Sequence, residues 1–530
     1  MVVVDAPKSI PPTTALLTHH IHTGSMVMPN TSPSQIRLSR RALFGAGLSG
    51  ATLLALSACT PAPRFVSPTS AAVTGAEGLR PQTGTIVKHA LRAAEETIDL
   101  AGEQVRTWAY GPTLAPVIRA QRGDTIQAAL TNALSEETTV HWHGVALRND
   151  MDGVPYLTQD PIAAGKNFTY QFTAPHPGTY WFHPHVGTQL DRGLYGVLII
   201  DDPKEPLAYD EEWVVVLDDW LDGVTATPPE VFQELSRGMK AMAGMGDMPM
   251  RSGNMLMGAK SDALGGDAGD VYYPHYLVNG RPPADPETFT SRPGNRVRIR
   301  LINAGGDTAF RVAVGSHPMT ITHTDGFPVS PTEVDSVLIG MGERYDVLVT
   351  LADGVFPFVA EAEGKQARAF AIVRTGSGAT PPPDIPVAEL TGRIGAVDEL
   401  TAVDSVSLSR RRPDQELTVR LTGGMGSYDW ALDRKSFDMK KPMADASVMN
   451  SGERIRLNFV NTTTMWHPMH LHGHTFQHVN GGPRKDTSIV LPNRTLSVEF
   501  DADNPGRWLM HCHNIYHGEA GMMGAIAYAV

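Results

Sequence analysis

Near its C-terminus the chain reads HCHNIYHGEAGMM, residues 511–523. Cys512 stands between His511 and His513, with His517 five residues and Met522 ten residues further on. The only other cysteine is Cys59, far away near the N-terminus. A thiolate, an imidazole and a thioether in one loop are soft metal ligands. A Cys with two His and a weak, distant Met is the ligand set of an electron-transfer copper site. His517 and Met522 supply one His and the Met. The second His must come from elsewhere, and His467 in MWHPMHLHGH, residues 465–474, is the candidate.

The chain also holds four His-x-His pairs: His141/His143, His183/His185, His470/His472 and His511/His513. In a strand, residues i and i+2 point to the same face, so each pair can offer two imidazoles to one side. Cys512 then points to the opposite side from its two neighbours. On this reading Cys512 binds one metal centre, His511 and His513 bind another, and the peptide between them is a covalent bridge for electrons. Imidazole clusters suit Cu, Zn, Fe or Ni. Eight paired histidines are too many for one ion and sensible for three. Zinc sites or ordinary surface histidines are the plainer alternative, which four pairs in two matched sets disfavour.

The elements that must position these residues are strands. Pro (40) and Gly (51) are plentiful and long amphipathic helical patterns are few, which favours β architecture with many turns. The motifs repeat. HWHG at 141–144 is echoed by HLHG at 470–473, and PGTYWFHPH at 177–185 by PGRWLMHCH at 505–513. The step from the first histidine of one motif to the first of the next is 42 residues in one copy and 41 in the other. Two related domains are the economical explanation. Between them, EWVVVLDDW, HYLVNGR, NRVRIRLINAG and YDVLVTL read as strands of a third domain without His-x-His pairs. The expected organisation is a signal segment at 1–58, a tether at 59–84, and a first domain at 85–205. A middle domain at 206–378 carries an insertion near 237–260. A linker at 379–400, which begins Pro-rich, leads into a last domain at 401–530. The net charge of −12 argues against a nucleic-acid partner.

SRRALFGAGLSGATLLALSAC, residues 39–59, opens with Arg40-Arg41 and continues as a short, Gly- and Ala-rich apolar run. It reads as a twin-arginine export signal rather than a membrane span. Leu56-Ser57-Ala58-Cys59 fits a lipoprotein cleavage box, making Cys59 the lipidated first residue of the mature chain. An ordinary signal with an incidental cysteine is the alternative. Met26 and Met28 are alternative translation starts. The protein is expected in the periplasm or cell envelope, anchored at Cys59.

HWHG, HPH, HPMHLHGH and HCHNIYHGEAGMM together resemble the copper motifs of the multicopper oxidases, the family of laccases, cuprous oxidases and ferroxidases. GERYDVLV at 342–349 and RKDTSIVLPN at 484–493 also look like family segments. With the twin-arginine start, the chain looks most like the actinobacterial copper-resistance multicopper oxidases. The resemblance implies an all-β fold of three cupredoxin-like Greek-key barrel or sandwich domains and four copper ions. His467, Cys512 and His517 would hold the type 1 copper, with Met522 axial. His141 and His470 would hold the type 2 copper. His143, His183, His185, His472, His511 and His513 would hold the type 3 pair. Electrons taken singly at the type 1 site would cross Cys512 and His511 or His513 to the cluster, where O2 is reduced to water. His474 lies in the motif but is not a ligand in the family. Asp152, in RNDMDGVP, resembles the family's proton-relaying acid; Asp-Gly is equally a turn signal. Glu519 lies beside the type 1 loop, but Gly518 occupies the position where some cuprous oxidases carry an acid.

RGMKAMAGMGDMPMRSGNMLMGAK, residues 237–260, holds Met239, Met242, Met245, Met248, Met250, Met255 and Met257. Three-residue spacing can make a helical core stripe. Gly244, Gly246 and Pro249 interrupt it, so a mobile segment that gathers Cu(I) through thioethers is the favoured reading. The electron donor is then Cu(I), in copper resistance, or a phenol or aromatic amine, with O2 as the acceptor and the protein a monomer. The alternative outside enzymology is a surface protein that sequesters copper without consuming oxygen.

Overall fold

The computed structural model describes residues 64–238 and 249–530. The signal segment, Cys59, Met239, Met242, Met245 and Met248 lie outside the described residues.

The expectation of an all-β chain is met: three sandwiches follow one another, each of two facing sheets. In the first, a sheet ordered Glu103–Ala109, Ile86–Leu100, Thr125–Asn132, Asn167–Thr173 faces one ordered Val117–Gln121, Gly196–Asp201, Gly178–His183, His141–His143. The other two sandwiches repeat its pairing logic. Ile86–Leu100 runs parallel to Thr125–Asn132, as Glu211–Trp220 does to Arg296–Asn303 and Gln415–Thr422 to Arg454–Asn461. In the facing sheets, Val117–Gln121 runs parallel to Gly196–Asp201, Glu287–Thr290 to Ala367–Arg374, and Ser447–Met449 to Met523–Tyr528. The middle segment thus has the same topology as its neighbours although it carries no His-x-His pair.

The cores follow from strand composition. Strands such as EEWVVVLDDW and RYDVLVT are buried along most of their length. They read as near-continuous apolar runs because both faces are covered. Trp142, Tyr170, Phe172, Tyr180 and Phe182 fill the first sandwich. A single core runs from Trp213 in the middle sandwich to Tyr528 at the end of the last. Trp181, Tyr195 and Val197 join Val216 and Ile302 in a separate cluster between the first and middle segments.

Two segments read as connectors are packed. From Phe65 on, the expected tether pairs with the last strand through a Phe65–Ala529 bridge and a Val66 N–H to Tyr528 carbonyl bond of 2.9 Å. Its helix Ala71–Gly78 buries Val73. Within the expected linker, Ile394–Gly395 adds an edge strand to Ser336–Ile339. A Pro-rich start does not prevent a later two-residue pairing. The part of the methionine segment that is described is also ordered: Met250–Ser252 and Met255–Met257 form a hairpin. Ser-Gly-Asn at 252–254 can turn a chain, with Gly253 at φ +63°.

Candidate metal centre

The two sequence repeats place the first histidines of their motifs in matching register. In the first sandwich, His141 sits directly opposite His183; in the last, His470 sits opposite His511. Equal spacing between the motifs produces equal register. The second members mostly lie just past the strand ends. Strand Gly178–His183 stops before Pro184, which has no N–H to donate to a ladder, and strand His467–Leu471 stops before His472. The expectation that each pair lies within a strand therefore holds fully only for His141–His143. The imidazoles nevertheless converge.

Their nitrogens form three groups. His143 Nδ1 and His513 Nε2 each lie 3.4 Å from His183 Nε2. His511 Nε2 lies 3.3 Å from His185 Nε2 and 3.1 Å from His472 Nε2. His141 Nε2 and His470 Nε2 are buried with no hydrogen-bond partner. Unpartnered buried nitrogens are costly unless something binds them. The separations also suit an ion: metal–nitrogen bonds of about 2.0–2.1 Å put neighbouring donors roughly 3–3.5 Å apart. Burial, reinforced by neighbouring imidazoles, pushes His143, His183, His185, His472, His511 and His513 well below the ordinary histidine value. They are neutral, with lone pairs free for a metal.

Cys512 faces a different group. Its Sγ lies 3.6 Å from His467 Nδ1 and 3.9 Å from His517 Nδ1, and those two nitrogens are 3.1 Å apart. All three residues are buried. Longer metal–sulfur bonds of about 2.3 Å fit the longer sulfur–nitrogen separations. The short helix Ile515–Ala520 sets His517: the Asn514 side chain caps it by accepting from the Tyr516 and His517 amides. The loop closes on itself, with the Cys512 N–H donating to the Met522 carbonyl at 3.0 Å. Met522 is fully buried beside it. Burial pushes the Cys512 thiol up, so binding a soft metal there displaces a proton.

Acidic residues brace the histidines. Asp152 Oδ2 lies 3.0 Å from His472 Nδ1, and its backbone carbonyl 2.9 Å from His141 Nδ1. It is both the turn residue before Gly153 and a partner of two cluster histidines. Glu519 lines a cavity with His183, His185, His511 and His513. The cavity has room for about one water. Burial pushes the Glu519 carboxyl up to about 7. His474 is turned away, 2.8 Å from the Tyr528 hydroxyl.

Three residues in this shell were not foreseen as site residues. Asp270 Oδ2 lies 3.0 Å from His517 Nε2. Asp486 Oδ1 lies 3.1 Å from His143 Nε2, and the Asp486 carbonyl 2.9 Å from His470 Nδ1. Arg344 grips the Asp486 carboxylate with two bonds of 2.7 and 2.6 Å. Burial alone would raise Asp486, but this guanidinium holds it well below the usual carboxylate range. The segments GERYDVLV and RKDTSIVLPN contain Arg344 and Asp486, so a signal existed. Asp270 had none beyond following the methionine run.

The methionine hairpin reaches the same place. Met250 stands opposite Met257 and Ser252 opposite Met255, so alternation puts the three thioethers on one face. Met250 is 45% exposed, while Met255 and Met257 are partly buried against the core. The Leu256 amide donates to the Asp270 carbonyl at 2.8 Å, and Met255 bridges to Val271.

Comparison with known proteins covers all three sandwiches. Three multicopper oxidase family models match residues 92–205, 211–378 and 410–530. The chain is 48% identical to the multicopper oxidase MmcO of Mycobacterium tuberculosis, over 93% of this chain and 97% of that protein. It is 28% identical to copper resistance protein A of Escherichia coli, over 82% of this chain and 91% of that one. A multicopper oxidase structure from Pseudomonas thermotolerans superposes with a TM-score of 0.65 at 26% identity, covering 84% of this chain and all of that one. A laccase structure from Botrytis aclada gives 0.69 at 25% identity, covering 88% and 93%.

Proposed function

Because the chain belongs to the multicopper oxidase family, which passes electrons from a reduced donor to O2, we propose that its donor is Cu(I) and that its role is copper resistance. One observation carries this. The thioether hairpin hydrogen-bonds to the segment of Asp270, and Asp270 in turn contacts His517. His517 itself is fully buried, with Trp430 4.4 Å and Tyr428 6.0 Å from its ring. A phenol has no exposed imidazole edge to touch and is the poorer donor. A small soft cation gathered by Met250, Met255 and Met257, together with Met239, Met242, Met245 and Met248, can hand over its electron through Asp270. The names of the copper resistance relatives point the same way.

The proposal includes four coppers. His467, Cys512, His517 and Met522 would hold the first. His141 and His470 would hold a second. His143, His183 and His513 would hold a third, and His185, His472 and His511 a fourth. When bound, copper supplies the redox chemistry: one-electron oxidation of the donor at the Cys512 centre and four-electron reduction of O2 to water at the histidine cluster. The protein's own contribution is geometry. Cys512 is peptide-bonded to both His511 and His513, so the two centres are joined by covalent bonds. Asp152 orients His472 and His141 by accepting from their Nδ1 atoms, leaving each Nε2 lone pair free. Burial of the imidazoles keeps bulk water out. Sequestration without oxygen uptake finds no support among the relatives.

Export through Arg40-Arg41, lipid anchoring at Cys59 and a monomeric state complete the proposal on sequence grounds. The mass of the mature N-terminal peptide distinguishes a lipidated Cys59 from plain export.

The donor is tested by replacing Met250, Met255 and Met257 with Leu, a swap of similar volume, which costs less than about 1.5 kcal/mol per site in a core. Cu(I) oxidation is expected to fall about tenfold while phenol oxidation stays within about twofold, a separation of rates that reads as lost donor binding. Equal loss of both activities, or of neither, sinks the cuprous reading.

A further inference from the structure

The middle sandwich supplies no ligand to the Cys512 centre or to the histidine cluster, yet it supplies Arg344, the first residue of strand Arg344–Thr350. Arg344 is completely buried. Every nitrogen of its guanidinium is engaged: Nη1 and Nη2 hold the two Asp486 oxygens at 2.7 and 2.6 Å, Nε donates to the Thr179 carbonyl at 3.1 Å, and Nη1 also donates to the Gly342 carbonyl at 3.1 Å. One side chain therefore ties the first, middle and last sandwiches together. Asp325, also from the middle sandwich, accepts from the Asp486 and Thr487 amides at 3.1 Å each.

Asp486 and Thr487 stand at the junction of two histidines with opposite needs. His143 presents Nδ1 to the cluster, so its proton belongs on Nε2, which faces Asp486 Oδ1 at 3.1 Å and Thr487 Oγ1 at 2.9 Å. His470 leaves Nε2 unpartnered, so its proton belongs on Nδ1, which faces the Asp486 carbonyl at 2.9 Å. One dipeptide thus imposes opposite tautomers on neighbouring ligands, through a carboxylate and a carbonyl. A hydrogen bond to the far nitrogen is how proteins fix which imidazole nitrogen is free for a metal. The geometry leaves little slack. A methyl group on Gly144 would overlap Arg344 and Asp486, and one on Gly342 would come within 2.8 Å of His513 Cδ2.

We propose that Arg344 is a positioning residue for the histidine cluster, acting through Asp486 to set the tautomers of His143 and His470. The middle sandwich is then part of the oxygen-reducing site without contributing a ligand. This rests on the assignment of the cluster as a copper site, but its failure is distinguishable, because the test compares cluster copper with copper at the Cys512 centre in the same molecule.

The experiment uses the full chain loaded with copper, then dialysed against graded chelator. Copper content is measured by mass spectrometry, the Cys512 centre by its absorption near ~600 nm, expected of this ligand set, and the His141/His470 centre by paramagnetic resonance. Arg344→Lys keeps the charge and loses the planar two-point grip. It is expected to weaken cluster copper by about 10–100-fold, the usual effect of losing such a partner, with the thiolate band unchanged. Asp486→Asn should do the same, and the double variant should be no worse than either alone. Arg298→Lys is the control. That arginine is also buried and pairs with Asp346 and with Glu205 at 2.9 Å, without touching a cluster histidine. It should leave both copper signals in place. Cluster copper at wild-type strength in Arg344→Lys would overturn the proposal. So would parallel loss of both signals, or the same loss in Arg298→Lys. If Arg344→Lys does not accumulate as soluble protein, Asp486→Asn and Thr487→Val are read by the same criteria. Loss of all copper, including the thiolate band, in the unmutated protein would instead overturn the copper-site assignment itself.

Discussion

On the proposed reading, His517 is where the donor's electron enters. Its Nδ1 faces Cys512 and His467, and its Nε2 ends on Asp270, a residue of the middle sandwich. Asp270 Oδ1 and the Tyr428 hydroxyl are both buried, with the phenol facing the carboxylate. Electron entry along this route depends on the acceptor at Asp270 more than on its size. Asp270→Ala is therefore expected to slow Cu(I) oxidation about 10–100-fold, and Asp270→Asn, which keeps an acceptor oxygen, considerably less. Steady-state Cu(I) oxidation checks this, with the thiolate band confirming a loaded centre. Equal rates for the two variants would mean that the contact does not carry electrons.

At the scale of elements, the tight turns matter as much as the strands. Gly153 has φ +81°, and a methyl group there would overlap the Val140 carbonyl. That turn presents Asp152 to His141 and His472. Gly153→Ala is expected to destabilise the protein by more than the roughly 1–2 kcal/mol that a left-handed backbone costs an L-residue, because the overlap adds to it. Thermal melting of the metal-free protein measures it. A wild-type melting temperature would show that the turn relaxes freely. The hairpin Met250–Ser252/Met255–Met257 makes a related point. Its cross-strand pairing, rather than a helical stripe, lines up the thioethers, because Gly253 turns the chain where a helix would need to continue.

The whole molecule is held in register by buried charge. Arg298 and Arg300 pair with Asp346, and Lys365 with Asp307 at 2.7 Å. Such pairs add little net stability, since desolvation offsets attraction, but a mismatched alignment would leave them unpaired. Buried neutral histidines make the fold sensitive to acid. Burial pushes His478 down to about 3 and His323 to about 4. An unfolded histidine binds a proton below about 6.5, so the unfolded state takes up protons that the native state refuses. Stability from these groups is complete above about pH 6.5 and is lost as pH falls toward their folded values. The metal-free protein is expected to melt progressively lower from pH 7 to pH 4.5. A flat profile would show that these side chains are open to water.

The sequence by itself determined the metal chemistry and its internal pairing. Spacings of 42 and 41 residues between His-x-His motifs are local information, and in antiparallel neighbours they become the matched pairs His141–His183 and His470–His511. Alternation likewise separates Cys512 from His511 and His513. The all-β class was legible from strand runs and turn residues for the same reason: periodicity acts over a few residues. What surrounds the histidines was not legible. Asp270 meets His517 across 247 positions, and Arg344 meets Asp486 across 142. No period or spacing encodes a contact at such separation. Only the docking of three sandwiches brings a residue from the middle one, which supplies no histidine or cysteine to either cluster, against each of them. An aspartate or arginine in a strand looks the same in sequence whether it faces water or a buried imidazole. Burial without solvent is what turns such a residue into a fixed partner of an imidazole, and burial is a property of the tertiary structure alone.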